Sequence, residues 1–301
     1  MIFATATSAG TNLGNGFEHF AQDIQSPRFI KLATARSGMA EPGFQTKLQT
    51  LLAEARFGLG ILKEYDLDHR RILEVGAGAG LLSSYLRSRG LDVVSSEPAA
   101  IGFSEHRELS LALSEYLGTP ADRYLPIGIE ELDPARHGTF DFIFSIHVME
   151  HVGEVSSCLS KMNQLLNEDG MMVHFCPNYV VSYEPHYRIP LVPFFPRFTK
   201  FVLPGTIVRQ ELWRSINFVT LPLAARCARR EKSHITFRSG TLYEAFTRLR
   251  HDSEFRERQR GLVSFVSKVL NLFGADRLLK LVPPLLSTPM WFEWRKAPPH
   301  P

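Results

Sequence analysis

The sequence predicts a doubly wound α/β fold, a mostly parallel sheet with helices on both faces. Three observations carry the prediction. Strand-like apolar runs alternate with helical patterns from 71 to 178, the order that builds a parallel sheet through crossover helices. Runs such as FIFSI and MMVHF are apolar throughout, as strands covered on both faces are. The first run, ending RILEV, enters a turn with glycine at every second position, Gly76, Gly78 and Gly80, followed by the helical stretch LLSSYLRSRG.

Each element follows in order. Residues 1–43 are rich in Gly, Ser and Ala with little periodicity, and are expected as an irregular N-terminal arm. From 44 to 65, Leu48, Leu51, Leu52, Phe57, Leu59 and Leu62 form a helical stripe, which should precede the first strand and pack on the sheet. The glycine turn exposes bare backbone to a ligand. The second strand-like run, LDVVSSEP, ends in Glu97, 21 positions after Gly76. That is the spacing at which an acid can accept hydrogen bonds from ribose hydroxyls, so an adenosine-containing cofactor is expected. Residues 44–178 are read as the cofactor-binding core.

Residues 179–233 break the alternation. They hold prolines at 185, 190, 193, 196, 204 and 222, among aromatics that include Tyr179, Tyr183, Tyr187, Phe194, Phe195, Phe198, Phe201, Trp213 and Phe218. This insertion after the fifth strand is read as a substrate lid, against the alternatives of a packing appendage or a dimer contact. Residues 234–301 complete the core, with Ser239 as a helix cap, a helical stripe over 261–286 and a last strand at 289–296.

The glycine spacing separates cofactors. A dinucleotide turn reads G-x-G-x-x-G/A, which would place its third small residue at Leu81; no Gly-Lys-Ser/Thr follows for a P-loop. The order Glu74, Gly76, Gly78, Gly80 closely resembles the first motif of class I S-adenosylmethionine-dependent methyltransferases. LPIGIEEL (125–132) resembles that family's adenine-edge segment, although many relatives carry Asp where Gly128 or Ile129 stands. FDFIFSIHVMEHV (140–152) is similar to the fourth-strand motif of the branch that includes ubiquinone-pathway methyltransferases, and NEDGMMVHFCPN (167–178) matches the fifth strand with its Gly turn. The resemblance covers 70–180 well and 234–250 less closely.

The resemblance implies a Rossmann-like sheet of seven strands, the last antiparallel, and S-adenosyl-L-methionine as cofactor. It places Glu74 and the glycines at the methionine half, Glu97 at the ribose, Ile129 and Glu130 at the adenine, and His147 toward the sulfonium. Glu150 and His151 should open the next helix, where the acid is either functional or simply favoured by the helix dipole. SYEPHYR (182–188) offers Tyr183 and Tyr187 to an acceptor. His186 or His151 is the expected proton acceptor for methyl transfer to oxygen, with packing, capping or surface roles as the alternatives for each. Glu150, His147, His151 and His186 also include metal-ligand types, but the spacing fixes no geometry and no metal is expected.

Composition narrows the function classes. Hydrophobic residues make up 44% and the net charge is +3, with a pI near 8.8. The basic clusters at 226–232 and 256–260 are read as solvated faces, so no nucleic-acid partner is expected. Cys158, Cys176 and Cys227 form no CxxC pair, which argues against a disulfide framework or cysteine-built zinc site. MIFATATSAG lacks a basic leader and no apolar run approaches about 18 residues, so a cytoplasmic location is expected. The stripe at 261–286, with Lys268, Arg277 and Lys280 interspersed, could lie on a membrane surface or pack on its own domain. No oligomeric state is legible. Three functions compete: transfer to an oxygen or carbon of a small molecule, transfer to a macromolecule, and a cofactor-binding subunit without turnover. SIHVMEHV after the fourth strand lacks the Asn/Asp-Pro-Pro-Tyr/Phe cluster of nucleobase amine transfer.

Overall fold

The computed structural model describes residues 13–14, 16–98, 104–252, 255–256, 262–272 and 274–296. Residues 1–12 and 15 of the arm, most of the 256–260 cluster and residues 261 and 273 of the stripe lie outside them. Seven strands form one sheet in the order β3-β2-β1-β4-β5-β9-β8. They are β1 (Arg71–Val75), β2 (Asp92–Ser96), β3 (Tyr124–Leu125), β4 (Phe140–Ile146), β5 (Leu166–Cys176), β8 (His234–Phe237) and β9 (Met290–Arg295). A separate pair joins β6 (Tyr183–Glu184) to β7 (Ile189–Pro190). Pairs β1–β2, β1–β4 and β2–β3 are parallel, whereas β9 runs antiparallel to both β5 and β8. The chain clusters into two compact units, residues 1–144 with 164–170 and residues 145–163 with 171–301.

In the first unit, Ile72, Leu73 and Val75 of β1 and Phe142, Ile143 and Phe144 of β4 are buried, each such side chain contributing about 1.5–3 kcal/mol. Arg71 secures the start of β1: its backbone N–H donates to Asp141 Oδ2 at 2.8 Å, and its guanidinium donates to the carbonyls of His137 and Thr139. The arm is not irregular where it is described. It holds helices Phe17–Asp23 and Pro27–Ser37. Ser26 caps the second by accepting from Phe29 N, Pro27 occupies its first turn, and Gly38 closes it at φ +70°. The averaged composition hid this local punctuation. Phe17 and Phe20 stack on Tyr85 at 5.0 and 5.2 Å. Helix Glu41–Leu62 buries Phe44, Leu48, Leu52, Leu59 and Leu62, and packs on helices Pro27–Ser37 and Leu81–Ser88.

In the second unit, the helix after β4 begins only at Val155. The carboxylate of Glu154 accepts from Ser156 N and Ser157 N, so Glu150 and His151 lie in the preceding turn and do not open the helix. β5 starts directly after that helix, which puts Gly170 within the strand and not in a turn. Gly240, at φ +83°, caps helix Thr241–His251 in place of Ser239. The stripe at 261–286 breaks into helix Leu262–Leu272 and 3₁₀ turns Ala275–Leu281 and Pro284–Leu286, interrupted at Gly274, φ +63°, and at Pro283–Pro284. Leu272 and Leu281 are each 79% exposed. Among the described residues, no helix is long and apolar enough to cross a membrane.

The 179–233 segment is ordered by polar anchors. Asn178 is buried; its Nδ2 donates to the carbonyls of Leu285 and Ser287, and its Oδ1 accepts from Leu221 N. A 3₁₀ turn, Pro196–Phe201, repeats every three residues, so side chains at i and i+3 eclipse. Phe195, Phe198 and Phe201 therefore share one stripe, with ring centroids 5.8 and 5.9 Å apart, and are 61%, 57% and 72% exposed. Arg197 and Lys200 form the adjacent stripe. Thr199, on the third, is buried and accepts from Val192 N at 2.9 Å.

Candidate active site

The glycine turn is a backbone construction. Gly76, Gly78 and Gly80 take φ of +71°, +53° and +70°, the left-handed region that side chains disfavour. At Gly80 a Cβ would also stand 3.3 Å from Ser110 Oγ and from the Tyr124 ring. The turn is fixed by Gly76 N donating to Ser96 O at 2.8 Å and by Tyr124 OH donating to Gly78 O at 2.8 Å. Gly80 then caps helix Leu81–Ser88.

Two carboxyls flank this turn. Glu97, one residue past β2, accepts from Gly78 N through Oε2 at 2.9 Å, and its own N–H donates to Leu125 O. Glu74 is buried on β1 and accepts from Ser83 Oγ. Burial pushes its pKa up to about 7, against the Ser83 hydrogen bond and the Arg87 guanidinium. Arg87 is itself buried, bonded to Val93 O, Ser95 Oγ and Ser84 Oγ, and burial lowers it to about 10. Ile129 is buried at the start of a 3₁₀ turn, Ile129–Glu131, and Glu130 beside it faces solvent. Bare backbone, an acid at the end of β2 and a buried carboxyl on β1 together fit an aminoacyl-nucleoside cofactor.

The second unit gathers a different cluster, assembled from side chains. His147 follows β4 at φ +57° and donates its N–H to Phe175 O at 2.8 Å. Its Nδ1 stands 3.8 Å from Glu150 Oε1, beyond hydrogen-bond length. Glu150 is fully buried, and neither of its oxygens accepts a hydrogen bond among the described residues. Burial opposes its ionisation, but His147 and His151 outweigh burial and hold its pKa below the usual carboxylate range.

Asn217 shapes the turn that carries Glu150 and His151. Its Nδ2 donates to Met149 O at 2.7 Å and Val152 O at 2.9 Å, and its N–H donates to Glu150 O at 2.9 Å. His151 Nδ1 lies 2.9 Å from Ser215 Oγ. That hydroxyl gives its own proton to Leu212 O, so it accepts from the imidazole, which assigns the proton to Nδ1 and leaves a lone pair on Nε2. His186 Nδ1 lies 2.6 Å from Glu184 Oε1, again leaving Nε2 as the open nitrogen. Glu184 is buried and also accepts from His186 N and from Tyr179 OH.

The rings of His151 and His186 meet edge-on, 5.1 Å between centroids. Their environments differ. Burial holds His151 below the ordinary imidazole range. Burial also opposes charge on His186, but the Glu184 hydrogen bond and charge prevail and raise it. Of the tyrosines expected at an acceptor, Tyr183 is half-buried on β6, and Tyr187 donates to Gln210 Oε1 at 2.9 Å while its ring faces Trp213. The structure thus brings His151, His186 and Glu150 together. Sequence reading passed over Ser215 and Asn217, which lie some 65 positions away, and did not give Glu184 a role; its signal was the Glu-x-His spacing in YEPHY.

With that geometry in place, comparison with known proteins places the chain. A family model described as "Methyltransferase domain" matches residues 44–243, and the chain belongs to this family. It is a class I S-adenosylmethionine-dependent methyltransferase. An uncharacterized protein of Mycobacterium tuberculosis is 33% identical over 227 residues, covering 69% of this chain and 74% of the relative. A ubiquinone biosynthesis O-methyltransferase of Rhodopseudomonas palustris is 30% identical over 110 residues, 36% of this chain and 40% of that protein. The solved Haemonchus contortus phosphoethanolamine N-methyltransferase 2 shares 18% identity at a TM-score of 0.47, over 80% of this chain and 52% of that one.

Proposed function

We propose that the protein methylates an oxygen of a small-molecule acceptor, with His186 taking the proton that the acceptor hydroxyl gives up. The bound cofactor supplies an electrophilic methyl carbon on a sulfonium. Protein groups then have three tasks: to hold the cofactor, to bring an acceptor oxygen to within about 3 Å of that carbon, and to remove the oxygen's proton. Glu97 and the glycine turn would serve the first. Tyr183 and Tyr187 would line the acceptor, and His186 would serve the third.

The observation that carries this reading is the Glu184–His186 pair. A buried carboxylate at 2.6 Å from Nδ1 fixes the tautomer and leaves Nε2 as a base whose pKa the carboxylate raises above the ordinary imidazole value. The oxygen-methylating relative supports the choice of atom. Incubating the protein with methyl-labelled S-adenosylmethionine and a fractionated cell extract tests the acceptor class; label in protein or RNA in place of a small molecule would overturn it. The rate of turnover should fall as pH drops through the His186 pKa. Glu184→Gln removes the group that raises that pKa, so this acid limb should move to lower pH; an unmoved limb removes His186 as the base.

A further inference from the structure

We propose that Glu150, His151 and His186 form a binding site for one divalent first-row cation of the zinc or cobalt type. One ligand atom from each residue lies within 4.8 Å of the other two. Three atoms so spaced all lie within about 2.8 Å of a common point, so shifts of under about 1 Å would bring them to the ~2.0–2.1 Å bond lengths such cations take from His and carboxylate.

Two observations besides proximity point to a cation. Glu150 is a carboxyl side chain with no exposed surface and no hydrogen bond to either oxygen among the described residues. A buried carboxyl whose oxygens accept no hydrogen bond is costly; the His147 imidazole stands in ion-pair range at 3.8 Å but not at hydrogen-bond distance, which leaves room for a cation to complete the oxygens. The second observation is the outer layer. Both histidines commit Nδ1 to a partner, Ser215 for His151 and Glu184 for His186, and both keep Nε2 open. Metal-ligating histidines are oriented in this way, by a carboxylate or another acceptor on the second nitrogen. Asn217 fixes the turn that presents Glu150 and His151, and Glu184 sits on the short β6–β7 hairpin that presents His186.

Two histidines and one carboxylate leave coordination positions open, as catalytic rather than structural sites do. The His186 side chain is 28% exposed, so one member of the set borders solvent. The inference deepens the proposed function and rests on it for the acceptor class, but it replaces the base: with Nε2 on a cation His186 could not also take the proton, and a Lewis acid at this point would acidify the acceptor hydroxyl so that its proton passes to solvent water.

The test is titration of the metal-free, full-length protein with Co²⁺, read by its visible absorption and by equilibrium dialysis. One Co²⁺ per chain is expected. Glu150→Gln and His186→Ala should weaken binding more than about 100-fold, and Glu184→Gln, which alters only the outer layer, by about 10–100-fold. His234→Ala, outside the cluster, should leave affinity unchanged. Thermal melting identifies any variant that fails to fold; His186 is partly exposed, so His186→Ala keeps the test decisive if Glu150→Gln does not fold. Absence of Co²⁺ binding, or binding that His186→Ala leaves intact, overturns the cation site. Methyl transfer measured with EDTA separates this from the reading above. If the wild type turns over in EDTA and His186→Ala still slows it, the imidazole base stands and the cation has no part in turnover, whatever the Co²⁺ titration shows.

Discussion

The glycine turn after β1 and the histidine cluster after β4 are built by opposite means. The turn is made of backbone: three glycines at positive φ, closed by bonds from Gly76 to Ser96 O and from Gly78 to Glu97. Apart from Tyr124, whose hydroxyl donates to Gly78 O, all of it falls within residues 71–97. The cluster is made of side chains drawn from 147–151, 184–186 and 215–217; His151 and the turn at 149–152 are held by Ser215 and Asn217 from far along the chain, and His186 by its near neighbour Glu184. A backbone site tolerates few residue types, because φ and close approach decide them. A side-chain site can be rebuilt by exchanging loops on the same frame, the pattern expected of a family that keeps one donor and varies its acceptors.

The contrast can be broken or sharpened by experiment. The largest effect should come from His186→Ala: turnover should fall by about 10²–10⁴-fold with donor affinity unchanged by calorimetry. A loss of donor affinity instead would show that the two sites are not separable. Gly80→Val should cost about 2–3 kcal/mol of stability in denaturant titration, from its left-handed φ and the 3.3 Å approach of Tyr124. Glu97→Ala should weaken S-adenosylmethionine binding by about 1.5–3 kcal/mol, with little effect on turnover at saturating donor.

The smallest effect is a matter of pH. The folded-state pKa of Glu74, about 7, lies above its unfolded value near 4.5, so the folded state binds the extra proton. Stability is therefore greatest below about pH 4.5 for this group and declines as pH rises through 7. Between pH 6 and 8 the loss should be about 1 kcal/mol, and Glu74→Gln should abolish this part of the slope.

Sequence and structure agree most closely where signals are local. β1, the glycine turn, β2 and Glu97 were legible because strand period, glycine spacing and one acid lie within 27 residues. The final strand was legible as well, and β9 runs antiparallel as expected. The arm was misread because Ser26-Pro27 and Gly38, which start and stop a helix, were averaged into a Gly/Ser/Ala composition. The helix after β4 was started too early because nothing in VMEHV marks a helix start; the bond from His151 N to Val148 O and the contacts of Asn217, 67 positions after Glu150, show that these residues are held as a turn. Ser215 and Asn217 could not be found from one sequence, since nothing local marks a side chain whose partners are folded back from elsewhere.

The phenylalanine stripe of the 196–201 turn has a practical consequence for handling the protein. Three large rings stand in water beside Arg197 and Lys200, whose like charges oppose the approach of a second copy of the stripe. At 1 M salt the screening distance shrinks to about 3 Å, and the rings become adhesive. Light scattering should therefore report reversible clustering as salt is raised, the reverse of ordinary salting-in, and Phe198→Ser should raise the salt concentration at which it begins.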